Sequence, residues 1–186
     1  MIALSSQYVA VLDTCVLAPM PLCDTLLRLA EEPAFYIPKW SADILRELRC
    51  TLLRMGYTEA QAERRIGAME TAFEDANVTG YERLVASMTN DPKDRHVLAA
   101  AVRCGAQAII TDNVKHFPPV SVAPYDIGVL TPDEFLLHQF HLNAETVVAK
   151  LDGQAAIRRV SLSDLLAGMR KRAPRFVAAV ARSGSA

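Results

Sequence analysis

Short apolar runs alternate with longer segments of helical periodicity over most of the chain. The runs are rich in β-branched or aromatic residues and predict five short strands, at 8–12, 35–37, 77–79, 108–111 and 129–130. We expect Pro38 to end the second strand, because proline cannot donate a hydrogen bond to a sheet. Strands that alternate with helices are typical of a parallel sheet, so the pattern predicts an α/β fold.

Capping residues mark the starts of the predicted helices. Apolar residues three and four positions apart predict helices at 22–32, 42–55, 59–73, 92–105 and 132–140. Ser41, Thr58 and Thr131 are suited to cap the helices that follow them. Asp91 and Pro92 predict a helix that has Asp91 as its cap and Pro92 at its first position.

The alternation of strands and helices ends near residue 143, and only helical patterns follow. We therefore expect an α/β domain over residues 1–142 and a helical extension over residues 143–186. Residues 154–186 hold seven basic residues and one acidic residue, whereas residues 1–153 hold 13 basic and 20 acidic residues. An acidic body with a basic tail fits a metal site beside a polyanion-binding surface, and it fits an ordinary solvated pair of helices equally well.

The composition excludes several classes of protein. With 51% hydrophobic and 22% charged residues, the chain is neither disordered nor fibrous. No apolar run approaches the ~18–20 residues of a membrane span. The N-terminus lacks the pattern of a signal peptide, so we expect a cytoplasmic protein without a membrane partner. The cysteines are widely spaced, which favours reduced thiols over a zinc site.

Four acidic residues fall where a parallel sheet would bring them toward one edge. Asp13 and Asp112 each come directly after a predicted strand, and ligands bind at the carboxyl ends of parallel strands. Asp94 lies in the first turn of a predicted helix, and Glu47 lies beside core-forming residues of another. Carboxylates that converge repel one another, and Mg²⁺ or Mn²⁺ bound by their oxygens removes that repulsion. Such an ion activates water for attack on a phosphoryl group.

Each acid also has a purely structural interpretation. Asp94 suits the first turn of a helix because it lies at the positive end of the helix dipole, and Glu47 can simply be solvated. Asp13 is the hardest to explain in this way, because an acid that ends a buried strand needs a partner.

Four segments carry a pattern that is more specific together than singly. They are Val-Leu-Asp-Thr-Cys at 11–15, Trp-Ser-Ala-Asp-Ile-Leu-Arg-Glu-Leu at 40–48, Asp-Pro-Lys-Asp-Arg-His-Val-Leu-Ala-Ala-Ala at 91–101 and Ala-Ile-Ile-Thr-Asp-Asn-Val-Lys-His-Phe-Pro at 108–118. In this order they resemble the PIN-domain family of metal-dependent ribonucleases. The chain is most similar to the subgroup with a helical C-terminal extension, which includes toxins of type II toxin–antitoxin systems.

The resemblance implies an α/β/α sandwich around a central parallel sheet and an endoribonuclease that cleaves single-stranded RNA with Mg²⁺ or Mn²⁺. It implies a PIN-like nuclease domain over residues 1–142, and it also implies an RNA substrate, a cognate antitoxin and a homodimer. The metal-binding and catalytic residues carried over by position are Asp13, Glu47 and Asp94, and Asp112 is taken as the fourth acid although it does not fall at the family's position. The candidate substrate-binding residues are Thr111 and Asn113, which the resemblance implies, and Arg95, which follows Asp94 on the predicted helix. Arg95 is suited either to pair with a neighbouring acid or to reach an RNA phosphate.

The chain departs from the family pattern near the fourth acid. Asn113 matches a polar position of the family, Asp112 supplies an acid one residue earlier, and His116 stands where the family usually has aspartate. This departure leaves a second function open. The alternative is a catalytically silent PIN-like module that acts through RNA or protein binding.

Overall fold

Five parallel strands form the centre of the molecule. The computed structural model describes residues 8–183. The strands are β1 Val9–Leu12, β2 Ile37–Ser41, β3 Asn77–Val78, β4 Ala108–Ile110 and β5 Gly128–Leu130. They lie in the order β3-β2-β1-β4-β5, and every neighbouring pair is parallel. The predicted parallel α/β sheet is therefore confirmed.

Helices cover the sheet to give an α/β/α sandwich. In chain order they are α1 Thr14–Leu17, α2 Leu22–Ala30, α3 Ala42–Arg54, α4 Glu59–Ala72, α5 Glu82–Val85, α6 Arg95–Cys104, α7 Pro119–Val122, α8 Pro132–Leu142, α9 Ala144–Arg158, α10 Leu162–Met169 and α11 Pro174–Ser183. Helix α6 contacts β1, β2, β3 and β4, whereas α2 and α3 contact β2 and α8 contacts β5. Across residues 8–183, no helix is long and apolar enough to cross a membrane.

The two central strands are apolar without alternation. Ala10, Val11 and Leu12 of β1 are fully buried, as are Ile109 and Ile110 of β4. A strand covered by helices on both faces has no solvent-facing side, so every position favours an apolar residue. This explains why the sequence shows continuous apolar runs at these two places.

The second strand differs from the prediction, because it runs from Ile37 to Ser41 and includes Pro38. The backbone N–H of Ile37 donates to the carbonyl oxygen of Tyr8 at 2.8 Å, so the nitrogen of the next residue is directed away from β1. On that other side, β2 pairs with β3 only from Trp40 onward. Pro38 therefore occupies a position that needs no N–H donor, and it does not end the strand.

The helix predicted to begin at Pro92 begins at Arg95 instead. The preceding residues form a turn, in which the N–H of Asp94 donates to the carbonyl oxygen of Asp91 at 2.9 Å and the N–H of Lys93 donates to the Asp91 side chain at 3.0 Å. Asp94 thus lies at the N-cap position, but its side chain makes no capping hydrogen bond. The Asp94 carboxylate is left for contacts outside its own helix.

The other predicted caps are confirmed. Ser41 Oγ accepts a hydrogen bond from the N–H of Ile44 at 3.3 Å. Thr58 and Thr131 each form a reciprocal capping box, with Gln61 and Glu134 respectively. These contacts fix the directions in which α3, α4 and α8 leave the sheet.

The C-terminal helices pack back onto the α/β part of the molecule. Helix α9 contacts α2, and α11 contacts α8. At the first of these contacts the buried side chain of Gln154 accepts a hydrogen bond from Thr25 Oγ1 at 2.8 Å and donates to the carbonyl oxygen of Pro21 at 3.2 Å. The division at residues 142 and 143 stays a prediction, and the structure places α8 before it and α9 after it.

Candidate active site

Asp13 lies at the carboxyl end of β1, where α1 begins. Its backbone N–H donates to the carbonyl oxygen of Ile110 at 3.1 Å, which continues the pairing of β1 with β4. The residue is only 3% exposed. Its Oδ2 accepts hydrogen bonds from Thr111 Oγ1 at 2.6 Å and from Cys15 Sγ at 3.2 Å. Neutral donors therefore hold this buried carboxylate in place.

Cys15 and Thr111 connect Asp13 to the loop after β4. Cys15 Sγ lies 3.3 Å from Thr111 Oγ1 and accepts from the N–H of Asp112 at 3.2 Å, while Thr111 Oγ1 accepts from the N–H of Asn113 at 3.0 Å. Burial, and then the charge of Asp13, raise the pKa of the Cys15 thiol to about 12. The thiol thus stays protonated and serves as a hydrogen-bond donor. Sequence reasoning assigned no role to Cys15, although its position two residues after Asp13 could have suggested one.

Asp94 is bound by a histidine from the loop after β4. His116 Nδ1 lies 2.6 Å from Asp94 Oδ2. His116 is itself held because its carbonyl oxygen accepts from the N–H of Asp91 at 3.0 Å. Burial raises the pKa of Asp94, and the hydrogen bond from His116 lowers it. The charge of Asp13 adds to the effect of burial, and the pKa is raised overall. The residue that stands in place of the usual family aspartate is therefore a partner of the third acid.

Glu47 reaches the same region from α3. Its Oε1 lies 3.0 Å from His96 Nε2, and its Oε2 accepts from Thr14 Oγ1 at 3.2 Å. Burial alone would raise the pKa of Glu47, but the His96 and Thr14 contacts lower it overall. Burial likewise works to lower the pKa of His96, but the bond to Glu47 raises it. The Glu47 side chain is 44% exposed, so this acid lies at the rim rather than in the interior.

Asp112 carries an ion pair with the C-terminal extension. Its Oδ2 accepts from Nη1 of Arg172, which lies in the loop between α10 and α11. Burial raises the pKa of Asp112, and the contact with Arg172 lowers it. The charge of Asp13 adds to the effect of burial, and the pKa is raised overall. No local sequence pattern indicated this contact, because the two residues are 60 positions apart.

The three residues assigned to the substrate differ in burial and in their partners. Thr111 is fully buried against Asp13, and Asn113 is half-buried in the next turn of the loop. Arg95 directs its Nε to the carbonyl oxygen of Asn90 at 3.3 Å. Within the described part of the chain, Arg95 makes no ion pair with an acid.

Asp94 and Asp112 both lie within range of the charge of Asp13. After burial, the charge of Asp13 contributes to raising the pKa of both Asp94 and Asp112. Among residues 8–183, no three histidine, cysteine or acidic side chains are placed closely enough to hold a metal ion. The chemistry of the candidate donors nevertheless suits a hard divalent cation, because they are carboxylate oxygens.

The comparisons with known proteins identify the family of the α/β part and match the C-terminal helices. Residues 9–115, more than half of the chain, match the PIN domain, and residues 132–182 match the VapC50 C-terminal domain. A stretch of 74 residues is 53% identical to the protein named "Putative ribonuclease VapC50" of Mycobacterium tuberculosis. This stretch covers 40% of the chain and 44% of that protein, so less than half of the relative is matched. No solved structure matches the chain.

The PIN-domain match includes the positions of all four candidate acids, and the match to the VapC50 C-terminal domain includes the loop that contains Arg172. Because the first match covers more than half of the chain, the chain belongs to the PIN-domain family.

Proposed function

We propose that this protein is an endoribonuclease that hydrolyses single-stranded RNA with Mg²⁺ or Mn²⁺, as the toxin of a type II toxin–antitoxin pair. The observation that carries the proposal is the buried Asp13 carboxylate at the end of β1, with Asp94 and Asp112 near enough to be coupled to it by charge. Membership of the PIN-domain family supports the same chemistry.

We assign the metal to Asp13, Glu47, Asp94 and Asp112. When bound, Mg²⁺ or Mn²⁺ polarises a phosphoryl oxygen and lowers the pKa of a bound water. The chain's own contribution is to hold the carboxylates in place. Thr111 and Cys15 orient Asp13, His116 orients Asp94, and His96 with Thr14 orients Glu47.

Thr111, Asn113 and Arg95 are assigned to the RNA. Thr111 and Asn113 lie on the loop that directly follows β4, next to Asp13. Arg95 follows Asp94 at the start of α6. Thr111 is fully buried, so its part is to hold Asp13 in the orientation that the reaction needs, whereas we propose that Asn113 and Arg95 orient the phosphodiester bond relative to the metal.

A basic cavity beside Glu47 favours RNA as the substrate. It has a volume of about 290 Å³, and its lining includes Glu47, Arg46 and Arg54. Arginine binds phosphate oxygens with its planar set of N–H donors. An acidic metal site with arginines beside it is suited to a polyanionic substrate, since the cations offset its repulsion from the carboxylates.

Cleavage of a labelled single-stranded RNA in Mn²⁺, Mg²⁺ or EDTA tests the proposal with the wild type and Asp94→Asn. The substitution removes one metal-binding charge and keeps the shape of the side chain. We expect metal-dependent cleavage that falls on the order of 100-fold or more in the variant. Asp152→Asn, the same change at an exposed position of α9, is the matched control and should cleave like the wild type.

Two outcomes contradict the proposal. If the folded wild type cleaves none of several RNAs with either metal, the silent binding module is the better account. Equal cleavage by wild type and Asp94→Asn would mean that Asp94 is not part of the site.

The antitoxin and the homodimer stay predictions from the family resemblance. Expression of the wild type alone should arrest growth, whereas Asp94→Asn should not. Size-exclusion chromatography with light scattering tests the dimer directly. A monomer at micromolar concentration would contradict it.

A further inference from the structure

The loop between α10 and α11 presents three consecutive basic residues beside the candidate site. Arg170, Lys171 and Arg172 are all exposed. Arg172 uses Nη1 to contact Asp112, and no other hydrogen bond from its guanidinium is made within residues 8–183. In the same described region, the side chains of Arg170 and Lys171 form neither a hydrogen bond nor an ion pair.

The loop does not depend on Arg172 for its position. Met169 and Ala173, on either side of the basic residues, are fully buried. Asp133 of α8 holds the start of α11, because it accepts from the N–H of Phe176 at 2.9 Å and from Arg175 Nε at 2.7 Å. These buried contacts already fix the loop against the rest of the fold.

An anchoring role explains Arg172 poorly. The Arg172 side chain is 41% exposed, and exposed ion pairs contribute little to stability. The contact with Asp112 does have a geometric effect, since it directs the guanidinium toward the acids while most of its N–H donors stay available. Those donors form a planar set that matches the oxygens of a phosphate.

We propose that Arg172 is a substrate-binding residue that the C-terminal extension supplies to the site. Asp112 orients its guanidinium, and its remaining N–H donors bind the non-bridging oxygens of an RNA phosphate next to the bond that is cleaved. Arg170 and Lys171 continue this contact along the RNA backbone. The proposal rests on the proposed ribonuclease function, and it gives the C-terminal helices a direct part in that function.

RNA binding in EDTA tests this proposal without requiring cleavage. Fluorescence anisotropy of a labelled single-stranded RNA is measured at several salt concentrations for wild type, Arg172→Ala and Arg172→Lys. We expect Kd to rise about tenfold in Arg172→Ala, and the slope of log Kd against log salt to fall by about 0.7. Arg172→Lys keeps the charge but lacks the planar donors, so its salt slope should stay near that of the wild type while its Kd lies between the other two.

Arg182→Ala is the matched control, because it removes the same charge from an exposed position in the last turn of α11. Its Kd and salt slope should equal those of the wild type. In cleavage assays, Arg172→Ala should raise KM more than it lowers kcat, since the arginine binds RNA and does not hold the metal.

The outcomes separate this inference from the proposed function. Unchanged RNA binding in Arg172→Ala, with active wild type, would overturn the role of Arg172 and leave the ribonuclease intact. Faster cleavage by Arg172→Ala would also overturn it, because the arginine would then restrain the site. Weaker RNA binding by Arg172→Ala together with an inactive wild type would support the RNA contact and contradict the ribonuclease.

Discussion

At the scale of single residues, the ionised Asp94 carboxylate is costly to the fold without a cation. Burial and the neighbouring charge of Asp13 raise the pKa of Asp94, which means that folding disfavours its ionised form. An acid whose pKa is raised by folding favours the folded state only at low pH, where the acid is protonated. This stabilisation is lost as the pH rises through the pKa of the acid in the folded protein. At neutral pH the ionised Asp94 therefore destabilises the metal-free protein.

Asp94→Asn is expected to change stability in opposite directions with and without metal. In EDTA at pH 7, the variant should melt at a higher temperature than the wild type, because it carries no buried charge. With Mn²⁺ at 100 times its Kd, the wild type should gain about 2.7 kcal/mol, and the variant should gain much less. Thermal unfolding followed by circular dichroism measures both. An equal gain from Mn²⁺ in the two proteins would exclude Asp94 as a ligand.

Thr111 is a second residue whose role can be tested by stability. It is fully buried, donates to Asp13 and accepts from the N–H of Asn113. Thr111→Val keeps the shape but leaves both partners without their hydrogen bond, so we expect a loss of about 1–3 kcal/mol in the free energy of unfolding. Thr111→Ser keeps the hydroxyl and should lose less in urea titrations. A loss in Thr111→Ser as large as that in Thr111→Val would contradict this, because the methyl group would then contribute as much as the hydroxyl.

At the scale of elements, the capping box of α8 joins the last strand to the C-terminal helices. Glu134 Oε2 accepts from the N–H of Thr131 at 3.0 Å and from its hydroxyl at 2.7 Å. The Thr131 backbone and side-chain hydrogen bonds lower the pKa of Glu134. Because folding lowers the pKa of Glu134, its ionised form stabilises the folded protein above the ordinary pKa of 4.5. This stabilisation is lost as the pH falls through the pKa of Glu134 in the folded protein.

Glu134→Gln should therefore destabilise the protein in a pH-dependent way. At pH 7 we expect a loss of about 0.3–1 kcal/mol, because the variant lacks the negative charge at the start of the helix. At a pH well below 4.5, the difference from the wild type should shrink. Urea unfolding at the two pH values measures this, with Glu63→Gln on the exposed face of α4 as the control. A difference that stays constant with pH would contradict an effect of the charge.

At the scale of the whole molecule, the C-terminal helices are part of one packed structure. Gln154 of α9 is fully buried and binds Thr25 and the carbonyl oxygen of Pro21 on the other side of the contact. Lys150 Nζ adds hydrogen bonds to the carbonyl oxygens of Arg28 and Glu31, at 2.8 and 2.9 Å, near the end of α2. This packing keeps the loop that contains Arg172 beside Asp112.

Gln154→Leu should destabilise both parts of the molecule together. We expect a loss of about 1–2 kcal/mol, because buried hydrogen-bonding groups lose a partner. The fluorescence of the single tryptophan, Trp40 in β2, reports on the sheet, and far-ultraviolet circular dichroism reports on all the helices. The two transitions should coincide in the wild type and in the variant. Separate transitions would show that the C-terminal helices unfold on their own.

Features that depend on neighbouring residues were predictable from the sequence. The five strands, the three N-caps and the position of Asp13 directly after a buried strand follow from local periodicity and local hydrogen bonding. The motif order gave the family, which the PIN-domain match confirms. The start of α6 and the place of Pro38 were predicted wrongly, because a turn and the pairing of the adjacent strand decide them.

The partners of the acids, by contrast, depend on how distant parts of the chain pack together. His96 lies 49 positions from Glu47, His116 lies 22 from Asp94, and Arg172 lies 60 from Asp112. Periodicity describes residues within a few turns of one another, so no local pattern predicts pairs at such separations. The parallel sheet brings the strand ends to one edge, and the packing of α9 and α11 brings Arg172 to that edge. The contribution of the C-terminal extension to the site is therefore a property of the folded chain.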